Sequence, residues 1–188
     1  MRQYLIALAM ICVSVPAAAT TAVIASNSGR ECFIQMLREP TPDNNKRALA
    51  ICYQAVKESG SGDDIHNHAA SLVNLSAVHL RMRDYADAIS EATKAIAIYP
   101  GMAQAHANLG AGLLGLSRYK EALGALDTAI SLDVDEAERV YYNRGLVKEY
   151  LGDIRGAYYD YRQATQINPK FLPAAEELTR FKVTIKSS

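Results

Sequence analysis

This 188-residue chain repeats itself with a period of 34 to 35 residues. Three tripeptides occupy equivalent positions: Asn74-Leu75-Ser76, Asn108-Leu109-Gly110 and Asn143-Arg144-Gly145. A period in this range is typical of a solenoid built from stacked pairs of helices. The repetition therefore constrains the fold more strongly than any single motif in the chain.

Each repeat contains two stretches with helical periodicity. In the first repeat Leu72, Leu75 and His79 recur at helical spacing, and after a polar turn Tyr85 and Ala88 begin a second stripe. Such stripes predict amphipathic helices that each bury one face. We therefore expect an all-α superhelix, that is, a solenoid of helix pairs. Its three clear repeats are predicted to span 69–102, 103–136 and 138–171.

Small residues recur where the two helices of a repeat must approach closely. They are Ser76, Gly110 and Gly145 on the three first helices. A larger side chain at these positions would push the hairpin apart, and overpacking of this kind costs about 1–3 kcal/mol. The spacing of the small residues is therefore expected to be steric in origin.

Together these positions resemble the tetratricopeptide repeat, a 34-residue helix-turn-helix. Its signature is a large or aromatic residue, Leu-Gly, an aromatic residue, and then Ala, a large apolar residue, Ala and Pro. Arg144 and Lys148 depart from it at apolar positions of the third repeat. Ala92 is small where the first repeat expects a large residue, and Val134 replaces the terminal Pro of the second. We expect Arg144 to pair with Asp160 on the facing helix, although such a buried pair adds little net stability.

A shortened fourth unit, predicted at 29–62, precedes the clear repeats. Counting back in register places Cys32 on its first helix and Ala48, Cys52 and Ala55 on its second. In an antiparallel hairpin the two cysteines come within reach of each other, so we expect a Cys32–Cys52 disulfide. A bridge across this 20-residue separation stabilises by about 3 kcal/mol. A redox-active pair is the alternative, but it lacks the close C-x-x-C spacing.

Prolines are expected to set helix boundaries at both ends of the solenoid. Pro40 and Pro42 should shorten the first helix of the N-terminal unit, because proline is excluded from helix interiors. Pro173 should begin a capping helix, predicted at 172–183.

The N-terminal segment is predicted to be a signal peptide. Arg2 is followed by an apolar stretch at 4–15 and then by Pro16 and three consecutive alanines at 17–19, which is the pattern of a secretory signal. We expect residues 1–19 to be removed, with cleavage between 19 and 25, and the protein to be periplasmic or secreted. An uncleaved membrane anchor is the alternative, and only that outcome would bring the protein into contact with a membrane.

Charge and motifs argue against several functions. The 20 Lys and Arg residues equal the 20 Asp and Glu residues, so the chain lacks the basic footprint of a nucleic-acid partner. No nucleophile motif or phosphate-binding loop is present, and we expect no enzyme activity and no cofactor. His66 and His68 could join Asp63 or Asp64 in a metal site, but too few ligands at fixed spacing follow, so no metal is expected.

Stacked repeats create a concave groove lined by the first helices. The residues predicted to line the partner-binding groove are Asn74, Asn108, Asn143, Val73, Arg81, Gln104, Arg139, Tyr142, Leu146 and Tyr150. The three asparagines form a column of amides that suits the backbone of an extended peptide; alternatively, they hold neighbouring helices together. Tyr142, Tyr150 and Arg139 suggest an aromatic region that contributes much of the binding energy.

The family resemblance implies that the groove takes a segment of a partner protein. Some members clamp a terminal carboxylate with Lys and Asn, but Val73 and Ala77 stand at those positions here, although Arg139 and Asn143 could still attract one. We therefore expect a non-enzymatic interaction module or scaffold of the bacterial cell envelope. The alternative is a self-associating structural subunit whose groove is filled by a neighbouring protomer.

Overall fold

The computed structural model describes residues 27–60 and 64–181. All regular secondary structure within these ranges is α-helical, which confirms the predicted all-α superhelix. The helices are α1 (Asn27–Met36), α2 (Pro42–Ser59), α3 (Ile65–Met82), α4 (Tyr85–Ile98), α5 (Ala103–Gly115), α6 (Tyr119–Ser131), α7 (Ala137–Tyr150), α8 (Ile154–Ile167) and α9 (Leu172–Leu178).

The helices pair in sequence and the pairs stack. Helices α1 and α2, α3 and α4, α5 and α6, and α7 and α8 pack as hairpins, and each hairpin packs on the next. The first helices also contact one another, α1 with α3, α3 with α5 and α5 with α7. Within the described ranges no comparable contact joins α4 to α6 or α6 to α8. The stack therefore curves with its first helices on the concave side.

The three turns inside the clear repeats share one backbone conformation. Arg83, Ser117 and Gly152 occupy equivalent positions and all have positive φ, at 64°, 59° and 86°. In the first turn the Arg83 N–H donates to the Leu80 carbonyl at 3.1 Å and the next N–H donates to the His79 carbonyl at 2.9 Å. The other two turns make the equivalent bonds. This left-handed cap ends each first helix and directs the chain into the second.

Close packing explains the recurring small residues. A Cβ atom at Gly110 would lie 2.6 Å from Cγ of Leu126, and one at Gly145 would lie 2.5 Å from Cε1 of Tyr161. In the first repeat the Ser76 hydroxyl donates to the Ala88 carbonyl at 2.8 Å. The predicted steric role is confirmed for the two glycines, while the serine adds a hydrogen bond between the helices.

The N-terminal hairpin is held by a disulfide. Sγ of Cys32 and Sγ of Cys52 are 2.10 Å apart, as the pairing predicted from the sequence requires. Both residues are fully buried and pack in one cluster with Leu75 and Val78 of α3. The first helix is short, as the two prolines predict, and the Thr41 hydroxyl caps the start of α2 by accepting from the Asn44 N–H.

The capping helix is shorter than predicted. It ends at Leu178 rather than at about residue 183, which corrects the expected boundary. The N–H groups of Thr179, Arg180 and Phe181 each donate to the carbonyl three residues earlier, and the Thr179 hydroxyl also donates to the Glu176 carbonyl. These bonds tighten the last turn and end the helix.

No helix in 27–60 or 64–181 combines the length and apolarity needed to cross a membrane. The predicted signal peptide at 1–19 lies outside the described residues.

Candidate partner-binding groove

The asparagine column lies on the concave layer, and one of its members joins two helices. Nδ2 of Asn108 on α5 donates to the Val73 carbonyl on α3 at 3.1 Å. Asn74 is half-buried, whereas Asn143 is buried and its Oδ1 has no hydrogen-bond donor among the described residues. Asn108 therefore holds neighbouring helices together, while its Oδ1 and second amide hydrogen are not used by that bond.

Besides Asn143, two residues predicted to line the groove are buried in the solenoid, Val73 and Tyr142. Val73 packs with the core of the first repeat. Tyr142 is only 4% exposed, with its ring 5.8 Å from that of Tyr161 and 5.5 Å from that of Phe171. The expected exposed aromatic region at Tyr142 is thus corrected. Tyr142 is buried because the C-terminal segment around α9 packs Phe171 against its ring.

Tyr150 is the exposed aromatic residue at this end of the groove. It is 45% exposed, and its ring stacks on that of Tyr119 with centroids 4.4 Å apart and planes 8° from parallel. Burial raises the pKa of the Tyr150 phenol, with Tyr119 and Glu149 adding to the effect. Leu146, one turn before it, is half-buried against the core of the third repeat. The exposed apolar surface is therefore smaller than the sequence predicts.

Arg81 binds the N-terminal hairpin, which corrects its assignment to the partner-binding surface. Its Nη1 donates to the Met36 carbonyl at the end of α1 at 2.8 Å, and its Nε donates to Oδ1 of Asn45 at 3.1 Å. The guanidinium thus satisfies a carbonyl that the end of a helix leaves without a partner. Arg81 therefore joins the first hairpin to the first clear repeat by hydrogen bonds.

Gln104 and Arg139 are held by acidic residues of the loop between the second and third repeats. Nε2 of Gln104 donates to Oδ2 of Asp135 at 2.9 Å, and Nε of Arg139 lies 3.1 Å from Oε2 of Glu136. Burial raises the pKa of Glu136, as do the nearby Glu138 and Asp135, while Arg139 opposes them. The positive charge of Arg139 is therefore balanced within the protein.

A charged network fills the apolar signature positions of the third repeat. Arg144 donates to both Asp160 carboxylate oxygens, at 2.8 and 2.7 Å, and Nζ of Lys148 lies 2.8 Å from the same carboxylate. Arg144 also donates to Asp127 at 2.7 Å. The two acids raise the pKa of Arg144 despite its burial. The predicted Arg144–Asp160 pair is confirmed, and the network binds two helix pairs together.

An acidic cluster, formed by Glu149, Glu176 and Glu177, lies where the C-terminal segment around α9 reaches the end of α7 through Arg180. From helix position alone Glu149 is expected to line the groove, and Glu176 and Glu177 are expected to face solvent on the capping helix. Glu149 accepts from the Tyr161 hydroxyl at 2.6 Å and from Nη2 of Arg180 at 2.9 Å, and Arg180 also pairs with Glu177. Glu149 follows Leu146 by three residues on α7, the spacing at which helix residues share a face.

The Tyr142 hydroxyl lies beside this acidic cluster. It is buried and has no hydrogen-bond partner among the described residues. Burial raises the pKa of Tyr142 to about 12, and the charges of Glu177, Glu176 and Glu149 contribute, while Arg180 opposes them. The cluster therefore places net negative charge at the C-terminal end of the groove.

The alternative metal site is not assembled in the described part of the chain. No group of three His, Cys, Asp or Glu side chains there is placed to hold a metal ion. Asp64 instead caps α3 by accepting from two backbone N–H groups, and Nδ1 of His68 bonds to the Ser59 hydroxyl at 3.1 Å. The ring of His66 packs edge-on against Tyr99. Asp63 lies outside the described residues.

Comparisons with known proteins agree with this architecture. The tetratricopeptide repeat family matches residues 138–171. The chain is 29% identical over 115 residues to the mouse (Mus musculus) protein DnaJ homolog subfamily C member 7, a match that covers 61% of this chain and 23% of that relative. The chain thus matches less than a quarter of the relative's length.

Solved structures share the fold. The crystal structure of MamA superposes with a TM-score of 0.62 at 21% identity, covering 82% of each chain. The second tetratricopeptide domain of human RPAP3, solved in complex with the HSP70 peptide SGPTIEEVD, gives a TM-score of 0.57 at 26% identity and covers 62% of this chain and 97% of that domain. These matches identify a tetratricopeptide repeat at residues 138–171, within a solenoid that has the fold of tetratricopeptide repeat proteins.

Proposed function

We propose that this protein binds an extended segment of another polypeptide in the groove formed by α3, α5 and α7. The observation that carries the proposal is the column of Asn74, Asn108 and Asn143 at equivalent positions of the concave layer. Carboxamides can donate to a carbonyl and accept from an N–H at once, so they suit a peptide backbone of any sequence. Structures of this fold, such as the RPAP3 domain, bind peptides.

The mode of binding differs from a clamp on a terminal carboxylate. Val73 and Ala77 stand at the clamp positions, and both are buried apolar residues. Arg139, the candidate cation of the third repeat, is matched by Glu136. Recognition of the main chain is therefore the mode that the residues favour, and we propose no catalytic role.

We also propose that the protein works outside the cytoplasm, as a scaffold of the bacterial cell envelope. The buried Cys32–Cys52 bridge supports this location, because disulfides persist in oxidising compartments. The predicted signal peptide at 1–19 points to the same compartment. Self-association through the groove is the competing function.

The experiment is a pull-down from an envelope extract with purified protein, followed by hydrogen exchange of the complex. Protection confined to α3, α5 and α7, and lost in an Asn74→Ala/Asn108→Ala variant of unchanged helicity, supports peptide binding. Gln166→Ala, an exposed change on α8, is the matched control. Protection that grows with protein concentration alone, together with a doubled mass in light scattering, would instead establish self-association.

A further inference from the structure

We infer that the end of the groove between α7 and α9 receives a lysine or arginine side chain of the bound polypeptide. This inference rests on the proposed function, because it specifies the partner's chemistry at one end of the same groove. Three features carry it: the charge of the acidic cluster, the Tyr142 hydroxyl and the exposed Tyr150 ring.

The acidic cluster has more negative charge than the cations of the described residues balance. Among the described residues, Arg180 is the cation that contacts it, reaching Glu149 at 2.9 Å and pairing also with Glu177. Glu176 is exposed, and no described cation contacts its carboxylate. Three carboxylates against one guanidinium leave about two negative charges, which attract a cationic side chain and repel an acidic one.

The Tyr142 hydroxyl is the second, independent observation. It is a buried polar atom with no partner among residues 27–60 and 64–181, and buried polar groups without a partner are rare in folded proteins. The Tyr142 ring lies 5.8 Å from that of Tyr161, whose hydroxyl donates to Glu149 of the cluster at 2.6 Å. A phenol oxygen accepts a hydrogen bond from an ammonium or guanidinium group. A cation that displaces the 58%-exposed Arg180 side chain would satisfy this orphaned group.

The Tyr150 ring offers a surface on which the aliphatic part of the bound lysine or arginine side chain packs. Its ring is held by stacking on Tyr119 yet remains nearly half exposed. Lysine and arginine stems pack on aromatic rings, and their charges are attracted to the ring face. The glutamates are not placed to hold a metal ion, so an organic cation fits the cluster better than a divalent metal.

The test uses three capped twelve-residue peptides of Ala, Ser and Gly that differ only at two central positions, occupied by Lys, Gln or Glu. Binding of each peptide to the full chain is measured by fluorescence anisotropy, with an uncharged dye on the peptide, at low salt. The Lys peptide is expected to bind at least fivefold more tightly than the Gln peptide, and the Glu peptide more weakly. The difference should shrink in 0.5 M salt, because salt screens charge.

Variants that are expected to lower or to raise the preference for the Lys peptide show where on the protein the preference arises. Glu176→Gln, an exposed change, should reduce the Lys-over-Gln preference at least twofold, and Tyr142→Phe should do the same. Arg180→Ala removes the resident cation and should increase the preference. Glu121→Gln on α6, away from the concave layer, is the charge-matched control and should leave it unchanged.

The outcomes distinguish failure of the cationic site from failure of peptide binding in the groove. Equal binding of all three peptides, with loss in Asn74→Ala, retains the groove function and overturns the cationic site. A Lys preference that Glu176→Gln, Tyr142→Phe and Arg180→Ala all leave unchanged also overturns it, because the attraction then lies elsewhere. Absence of binding by every peptide overturns both.

Discussion

Gly145 lies against the ring of Tyr161, so closely that a Cβ atom at position 145 would sit 2.5 Å from Cε1. The ring belongs to a fully buried residue whose hydroxyl is fixed by Glu149, so it has little room to move. This contact sets the separation of α7 and α8.

Gly145→Ala should therefore destabilise the protein by about 1–3 kcal/mol, the cost of overpacking a core. Urea denaturation followed by circular dichroism measures the change. Gly124→Ala is the control, because Gly124 is an exposed helical residue whose added Cβ would meet nothing within 4 Å. It should raise stability by about 0.5–1 kcal/mol, since alanine is the better helix former. Equal effects of the two changes would contradict the steric explanation.

The left-handed turns predict stabilising substitutions. Arg83 and Ser117 adopt positive φ without being glycine, and this conformation costs an ordinary residue about 1–2 kcal/mol. Arg83→Gly and Ser117→Gly should each raise stability, partly offset by the greater freedom of glycine in the unfolded chain. Gly152→Ala, at the equivalent turn with no neighbour near its Cβ, should lower stability by about 1 kcal/mol. Thermal unfolding of the three variants checks the signs.

Alkaline pH should destabilise the protein through its buried tyrosines. The folded pKa of Tyr142 is raised to about 12, whereas an unfolded tyrosine titrates near 10. Because the folded state holds the proton more tightly, this contribution is complete below pH 10 and is lost as the pH rises through about 12. The shift corresponds to about 2–3 kcal/mol. The pKa of Tyr161 is raised in the same direction.

Tyr142→Phe isolates the effect of one hydroxyl. At pH 7 its stability should equal or slightly exceed that of the parent protein, because the phenol has no partner to lose in the described part of the chain. Between pH 10 and 12 the variant should lose less stability than the parent. Urea denaturation at each pH gives the comparison, with Tyr53→Phe at an exposed site as the control. A large loss for Tyr142→Phe at pH 7 would show that the hydroxyl is hydrogen-bonded.

Reducing the disulfide should loosen one hairpin and spare the others. Closing a loop of about 20 residues stabilises by about 3 kcal/mol, and in a repeat protein each unit contacts only its neighbours. Loss of the bridge in Cys32→Ser/Cys52→Ser should therefore speed hydrogen exchange in α1 and α2, while α5 to α8 keep their protection. An equal loss of protection in every helix would mean that the solenoid unfolds as one unit.

Local pattern predicted the parts of the structure that depend on helical spacing. The stripes, the small residues and the Arg144–Asp160 pair all follow from positions within one helix hairpin. Tyr142 and Arg81 were assigned to the groove because their helix positions face it. Packing of Phe171 beside α7 buries Tyr142, and docking of the first hairpin on α3 captures Arg81. The spacing of apolar residues within one helix does not predict such contacts, because they depend on how neighbouring units pack together.

The acidic cluster was missed for a related reason. Glu176 and Glu177 were treated as solvent-facing charges of a cap, and Glu149 belongs to another helix 27 residues earlier. The three carboxylates come near Tyr142 only because α9 packs on α8 and the residues that flank α9, Phe171 and Arg180, reach α7. A sequence rule that continued the repeat register into α9 would have aligned Glu177 with the asparagine column.

The most direct test of peptide recognition is nuclear magnetic resonance of the asparagine side chains. During titration with the neutral Gln peptide, the side-chain amide signals of Asn74, Asn108 and Asn143 should shift saturably, while those of Asn67 and Asn168, which lie in a first turn and a helix end, should stay in place. Shifts confined to residues of α4, α6 and α8, or binding that leaves the three groove amides unmoved, would contradict the account.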